Sequence, residues 1–177
     1  MAMPQKTLAA LPDEQNATVQ ILARFNLFED FKNNPEVLLA FAKILKLKAF
    51  NPGATIILEG DTGSELFILY KGKVGVYKKT PSGDEYKVAD LADHMNVVFG
   101  EGAIIDVDTR SATIKSLSAC ECFILDREDF DKFSKDHPQW ALPLFKKIAK
   151  AVMGRLRKTS QDFTLVYNAL VAEIKGR

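Results

Sequence analysis

Cysteine and histidine are scarce in these 177 residues, at two each, and there is one tryptophan. Cys120 and Cys122 stand two apart with no CxxC partner set, which argues against a structural zinc site. On a strand they share a face, and core thiols are the expected reading. His94 and His137 fall in separate loop-like settings. A metal-dependent barrel enzyme needs clustered histidines, and no nucleophile–base arrangement stands out, so no catalytic residue and no metal ligand is expected. Charge of one sign is also lacking: the net charge is +1, which leaves no broad footprint for nucleic acid or a membrane surface. No apolar run approaches the roughly 18 residues needed to cross a bilayer. The N-terminus, MAMPQKTLAALPDEQNAT, lacks the charged-then-apolar pattern of a signal peptide, so a cytoplasmic location is expected.

What is present is ordinary globular composition, 47% hydrophobic and 27% charged, in a chain long enough for a sizeable core. Residues 1–15 read as a flexible leader. From Ala17 to Lys48 the apolar positions recur at threes and fours (Ile21, Phe25, Phe28, then Val37, Leu38, Phe41, Ile44, Leu45), which predicts helices broken at Asn33-Asn34-Pro35. Short β-rich runs follow: ATIILE, ELFILY, KVGVYKK, EYKVADL, SATIKSL and CECFIL. Turn signals separate them at Gly60-Asp61, Gly72 and Pro81-Ser82-Gly83-Asp84. Six closely spaced strands imply an antiparallel sandwich or barrel. Helix returns at DREDFDKF, with Asp126 as N-cap, and Pro138 suits the first turn of a last helix. The fold class is therefore α+β, with residues 16–137 as helices plus β-core and 138–177 as a C-terminal helix.

Within that helix Leu142, Phe145, Ala149, Val152, Leu156, Thr159, Phe163, Val166 and Leu170 are spaced alternately by three and four, an a/d seam sustained for about four heptads. It can lie along its own β-core or pair with a second copy. The length favours a homodimer. Pro143 is expected to kink the helix or mark its first turn. Thr159, with Ser160 after it, is the one polar interruption.

The stretch FGEGAIIDVDTRSAT, Phe99 to Thr113, carries the chemistry. As a strand it puts Arg110, Ala112 and Ile114 on one face, the more apolar one, and Ser111, Thr113 and Lys115 on the other. A guanidinium keeps its charge and cannot be buried without an anion. That anion is either an internal carboxylate (Glu101, Asp106 or Asp108) or a ligand phosphate gripped by two parallel hydrogen bonds. Gly100 and Gly102 allow close backbone approach. Gly102-Ala103-Ile104-Ile105 forms one expected helical turn with amides toward an anion. Glu101 is an acceptor suited to sugar hydroxyls. These residues alone leave a nucleotide site and a structural ion pair both open.

FGEGAIIDVDTRSAT resembles the phosphate-binding cassette of the cyclic nucleotide-binding domains, and EGDTGSELFILYKGKV resembles that family's strand–turn–strand signature. The resemblance covers roughly residues 20 to 170. It implies an antiparallel β-roll, of jelly-roll barrel type, with N-terminal helices, a short cassette helix and a long C-terminal dimerisation helix. It implies that Arg110 holds the exocyclic phosphate, that Glu101 takes the ribose 2′-hydroxyl, that amides at Gly100, Gly102 and Ala103 assist, and that Ser111 adds a hydroxyl. GRLRKTSQDF is similar to the C-helix of the catabolite activator branch. By that likeness Thr159 and Ser160 meet the adenine, Arg155 approaches the ligand, and Val76, Val88 and Ala89 line the base pocket. The implied function is a cAMP sensor without a cofactor, signalling through a dimer to a downstream protein partner. A cGMP sensor and an interaction domain that has lost its nucleotide are the alternatives. Three departures stand out. Asn96 replaces a glycine five residues before the glutamate, the approach loop 92–98 is about two residues long, and Gly102 replaces a larger apolar residue. The activator branch continues into a helix-turn-helix domain. Here Arg177 ends the sequence, so no DNA binding by this chain itself is expected.

Overall fold

The computed structural model describes residues 6–7, 12–105 and 109–176. Strand β1 (Lys6–Thr7) and helix α1 (Pro12–Leu22) come first. Within the span expected as a leader, 1–15, β1 pairs antiparallel with β2 (Leu45–Phe50), and α1 begins at Pro12. Much of the rest of that leader lies outside the described residues. A 3-10 segment (Asn26–Phe31) leads to α2 (Pro35–Ile44), capped by the Asn34 side chain accepting from the Val37 N–H at 3.4 Å, with Pro35 in the first turn.

The helix expected to reach Lys48 ends at Ile44, and β2 takes over at once. LKLKAF has period two, and β2 pairs with β9 (Cys120–Asp126) from Leu45↔Leu125 to Phe50↔Cys120. The other strands are β3 (Thr55–Ile57), β4 (Glu65–Lys71), β5 (Lys73–Lys79), β6 (Glu85–Ala92), β7 (Val98–Phe99) and β8 (Thr113–Ser116). They form two antiparallel sheets, ordered β1-β2-β9-β4-β7 and β3-β8-β5-β6. Ile57, Phe67, Leu69, Val74, Phe99, Ile114, Cys122 and Ile124 make the core between them. The outer face of the first sheet, with Leu66, Ile68, Phe123 and Leu125, meets a second core with the helices. Two covered faces explain why ELFILY and CFIL are continuous apolar runs rather than alternating ones. Cys120 and Cys122 are free, buried thiols, and burial, followed by the charge of Cys120, pushes Cys122 up to about 12.

Helix α4 (Arg127–Asp136) begins at Asp126, whose side chain accepts from the Glu128 N–H at 2.9 Å. Helix α5 starts at Pro138 and runs unbroken to Lys175, so Pro143 lies inside it and does not mark its first turn. Its beginning packs on the domain through Ala141, Leu144 and Ile148, and Lys147 pairs with Glu29 at 2.7 Å and Asp30 at 3.2 Å. These burial positions lie beside the seam. They leave Leu156, Phe163, Val166 and Leu170 of the seam more than half exposed. No helix among the described residues is long and apolar enough to cross a membrane.

Candidate functional site

The approach to the cassette is a short 3-10 turn (Asp93–Met95) tied to the β4–β5 corner. The Asp93 carboxylate accepts from the Gly72 N–H at 2.9 Å, and the Asp93 N–H donates to the Gly72 carbonyl at 3.1 Å. Asn96 closes the turn at φ 52, ψ 49. It therefore occupies the left-handed backbone that glycine favours, and asparagine tolerates it better than other L-residues. Asn96→Gly is expected to leave stability nearly unchanged. Asn96→Val is expected to cost about 1–2 kcal/mol in urea unfolding, because a β-branched side chain clashes there.

Gly100, at φ 72, must be glycine for two reasons. Its backbone is left-handed, and a Cβ would lie 2.8 Å from Arg110 Nη1 and 3.0 Å from the Glu65 carbonyl oxygen. The expected helical turn is α3 (Gly102–Ile105), and it buries Ala103 and Ile104. The Ala103 N–H is turned back to the Gly100 carbonyl at 3.2 Å. Gly102 is exposed, has no left-handed φ, and would meet nothing within 4 Å if given a Cβ. Neither packing nor backbone geometry requires glycine there.

Arg110 precedes β8 rather than standing in it, because the strand starts at Thr113. Its backbone is fixed against the Gly60–Asp61 turn: Arg110 N–H donates to the Asp61 carbonyl at 2.8 Å, and Gly60 N–H to the Arg110 carbonyl at 2.9 Å. Thr113, expected on the face opposite Ile114, is buried as well: it is 1% exposed and accepts from the Glu59 N–H through Oγ1 at 3.0 Å. The Arg110 side chain does turn inward and is 7% exposed. Nη1 donates to the Gly100 carbonyl at 3.1 Å, Nη2 reaches Glu65 Oε2 at 3.4 Å, and the guanidinium carbon lies 5.9 Å from the Phe67 ring centre. Gly63 lies against it so closely that a Cβ would sit 2.4 Å from Nη2. Burial lowers the guanidinium below its ordinary value, while Glu65 and then Glu101 push it back up, and it stays charged.

Among the described residues the carboxylate in contact with Arg110 is thus Glu65, which the sequence did not lead us to expect, rather than Glu101. Asp106 and Asp108 lie outside the described residues. One signal was available: Glu65 is the only acid on the inward parity of ELFILY, with Phe67 and Leu69.

Glu101, with a side chain 13% exposed, instead meets Arg155 of α5, whose Nη1 pairs with Oε1 while Nη2 donates to the Val98 carbonyl. The cassette and the long helix are therefore joined directly. Gly100, Glu101, Gly102, Ala103, Arg110 and Arg155 gather at one place. Val76 is half-buried on β5, opposite Ala89 of β6 and Ile114 of β8. A bulge follows that pair, and Val88 in it is 54% exposed. Ser111 is exposed beside Arg110, and Thr159 and Ser160 lie on the exposed part of α5, one turn beyond Arg155. No group of three or more metal-ligating side chains occurs among the described residues.

Comparison with known proteins fits this geometry. Residues 47–137 match the family model described as the cyclic nucleotide-binding domain. The chain is 30% identical over 147 residues to one of the subunits of a cyclic nucleotide-gated cation channel of Drosophila melanogaster, covering 76% of this chain and 21% of that protein. It is 26% identical over 158 residues to the CRP-like cAMP-activated global transcriptional regulator of Mycobacterium tuberculosis, covering 89% of this chain and 66% of that one. The chain thus spans between a fifth and two thirds of these two relatives. The catabolite activator protein of Thermus thermophilus superposes with a TM-score of 0.68 at 26% identity, covering 80% of this chain and 62% of that one. A cyclic nucleotide-binding domain from Methylobacillus flagellatus shares the fold at a TM-score of 0.74 and 20% identity, over 89% of this chain and 86% of that one. A β-roll flanked by helices, a glycine-bounded cassette with a buried arginine, and a family match from within β2 through β9 lead to one assignment: the chain belongs to the cyclic nucleotide-binding domain family.

Proposed function

We propose that this chain is a receptor for a 3′,5′-cyclic nucleotide, cAMP by preference, and that it works as a regulatory module without catalysis or a cofactor. The observation that carries the reading is Arg110: a buried cation beside Gly100 and α3, whose carboxylate contact among the described residues is a long one. The cyclic phosphate takes Arg110, with Ser111 and the amides around Gly100, Gly102 and Ala103 alongside. The ribose 2′-hydroxyl takes Glu101. The base lies toward Val76, Val88 and Ala89 and meets Thr159 and Ser160 of α5, one of them from a partner copy.

Support for coupling comes from Arg155. It holds Glu101 and the Val98 carbonyl at once, so a ribose that engages Glu101 must share or displace it. Displacement frees α5 from the cassette, and the ligand then favours one α5 position over another. The exposed Leu156, Phe163, Val166 and Leu170 give a second copy a seam to pair with. In this reading residues 16–137 sense and 138–177 transmit to a downstream protein partner. A cGMP sensor is the second reading, favoured by the exposed Ser111 hydroxyl next to Arg110, which can serve a guanine amino group.

One titration tests this. cAMP and cGMP are added separately while heat and oligomeric state are followed together. The expected result is saturable binding with cAMP tighter, a raised melting temperature, and a mass near twice that of the 19.7 kDa chain. No heat and no thermal shift with either nucleotide would leave an interaction domain.

A further inference from the structure

Glu65 opens β4 directly opposite Asp126 of β9. Like charges facing each other across an antiparallel pair destabilise the sheet, so a carboxylate here works against the local structure. Residues that break a local rule tend to be functional. Two cations offset the cost. Arg110 Nη2 lies 3.4 Å from Glu65 Oε2, and Lys46, bound to Asp129 of α4 at 3.0 Å, lies within the field of both Glu65 and Asp126.

The surroundings of Arg110 are unequal. Gly63 and Phe67 close around the guanidinium, and Gly100 occupies Nη1. The Glu65 side chain is 45% exposed against 7% for that of Arg110, and its contact is at the long end of hydrogen-bond range. An anion arriving from solvent therefore meets Nη2 where a loosely held, movable carboxylate already sits. We propose that Glu65 is a built-in counter-ion that competes with the ligand phosphate for Arg110 and so sets the affinity of the site. This rests on the nucleotide reading above. In the empty site Glu65 is the carboxylate in contact with Arg110 among the described residues and helps neutralise that buried cation. In the occupied site it swings toward solvent and Lys46, because two anions at one guanidinium repel.

The test is calorimetric titration of cAMP and of cGMP into wild type, Glu65→Gln and Glu121→Gln. Glu121 supplies the control, since it pairs with Lys71 and removes the same charge away from Arg110. Glutamine keeps the size and an acceptor at 65 but abolishes the repulsion, about fivefold in affinity for unit charges some 4 Å apart in water and more where water is excluded. Glu65→Gln is expected to bind about fivefold to tenfold more tightly than wild type, with Glu121→Gln within about twofold of it. Detectable binding only in Glu65→Gln gives the same support. Binding in Glu65→Gln equal to or weaker than wild type overturns the proposal, and makes Glu65 a positioner of Arg110. An equal gain in Glu121→Gln overturns it in favour of net charge. If no protein binds either nucleotide, the nucleotide reading itself fails and takes the proposal with it.

Discussion

Arg110→Ala is expected to abolish measurable cyclic nucleotide binding while the chain stays folded. A hydrogen bond to a charged group is worth roughly 1.5–3 kcal/mol, so losing a bidentate grip on phosphate removes about 3–6 kcal/mol. That is a hundredfold to more than ten-thousandfold in affinity, at about 1.4 kcal/mol per decade, enough to carry a micromolar ligand out of range. Stability changes less, because two effects oppose. Truncation removes the bond to the Gly100 carbonyl and leaves a gap against Gly63 and Phe67. It also removes a buried charge held by the Glu65 carboxylate only at 3.4 Å. Arg110→Lys should fall between, since an ammonium keeps the charge but not the planar fork. Calorimetry gives the affinity and circular dichroism shows that the variant is folded. A folded Arg110→Ala protein that binds as tightly as wild type would remove Arg110 from the site.

The cassette and the β-roll were legible because they are local. Glycines bounding a glutamate, a four-residue helical turn and an inward arginine nine positions on can be read along one stretch, and the short strands announce themselves by composition and turn residues. What was not legible depends on partners far away in sequence. Glu65 meets Arg110 across 45 positions, and nothing near Arg110 points to it. Glu101 looked available for Arg110, yet α3 aims it at Arg155 on another element. Residues 45–48 read as helix because Ile44 and Leu45 extend the periodicity of α2, and only pairing with β9 decides for strand. Asn96 looked like a loss of the family's glycine, whereas its φ of 52 is left-handed backbone that glycine favours and that asparagine tolerates better than other L-residues. The seam on α5 was visible as a pattern. The pattern does not say that the domain's own contacts, at Ala141, Leu144, Phe145 and Ile148, lie at the start of the helix and leave the seam exposed from Leu156 to Leu170.

Phe41→Ala should do the opposite of Arg110→Ala, collapsing stability while sparing the intrinsic affinity of molecules that remain folded. Phe41 is fully buried on α2, and its ring centre lies 5.2 Å from Phe28, 5.9 Å from Phe31 and 4.4 Å from Phe133. It therefore ties the 3-10 segment, α2 and α4 together. Three separate elements cannot all close on the vacated volume, so the cost should sit high in the usual range of about 3–5 kcal/mol for a buried phenylalanine. In a chain of this size each kcal/mol lowers the melting temperature by roughly 2–4 °C, which predicts a fall of about 6–20 °C. The affinity argument follows from the two cores. Phe41 belongs to the core beneath the helices, whereas Gly100 and Arg110 sit against the core between the sheets, at Ile57 and Phe67. Two links join them: Ile104 of α3, which is buried in the Phe41 core, and α5, which rests on that core through Leu144 and Ile148 and reaches the cassette through Arg155. Titration well below the lowered melting point should accordingly find affinity within a few-fold of wild type. A melting temperature lowered by less than about 3 °C would mean that the aromatic cluster repacks freely. A large affinity loss in a folded Phe41→Ala protein would mean that the helical core holds the cassette in its binding shape, and that ligand energy reaches α5 through packing as well as through Arg155.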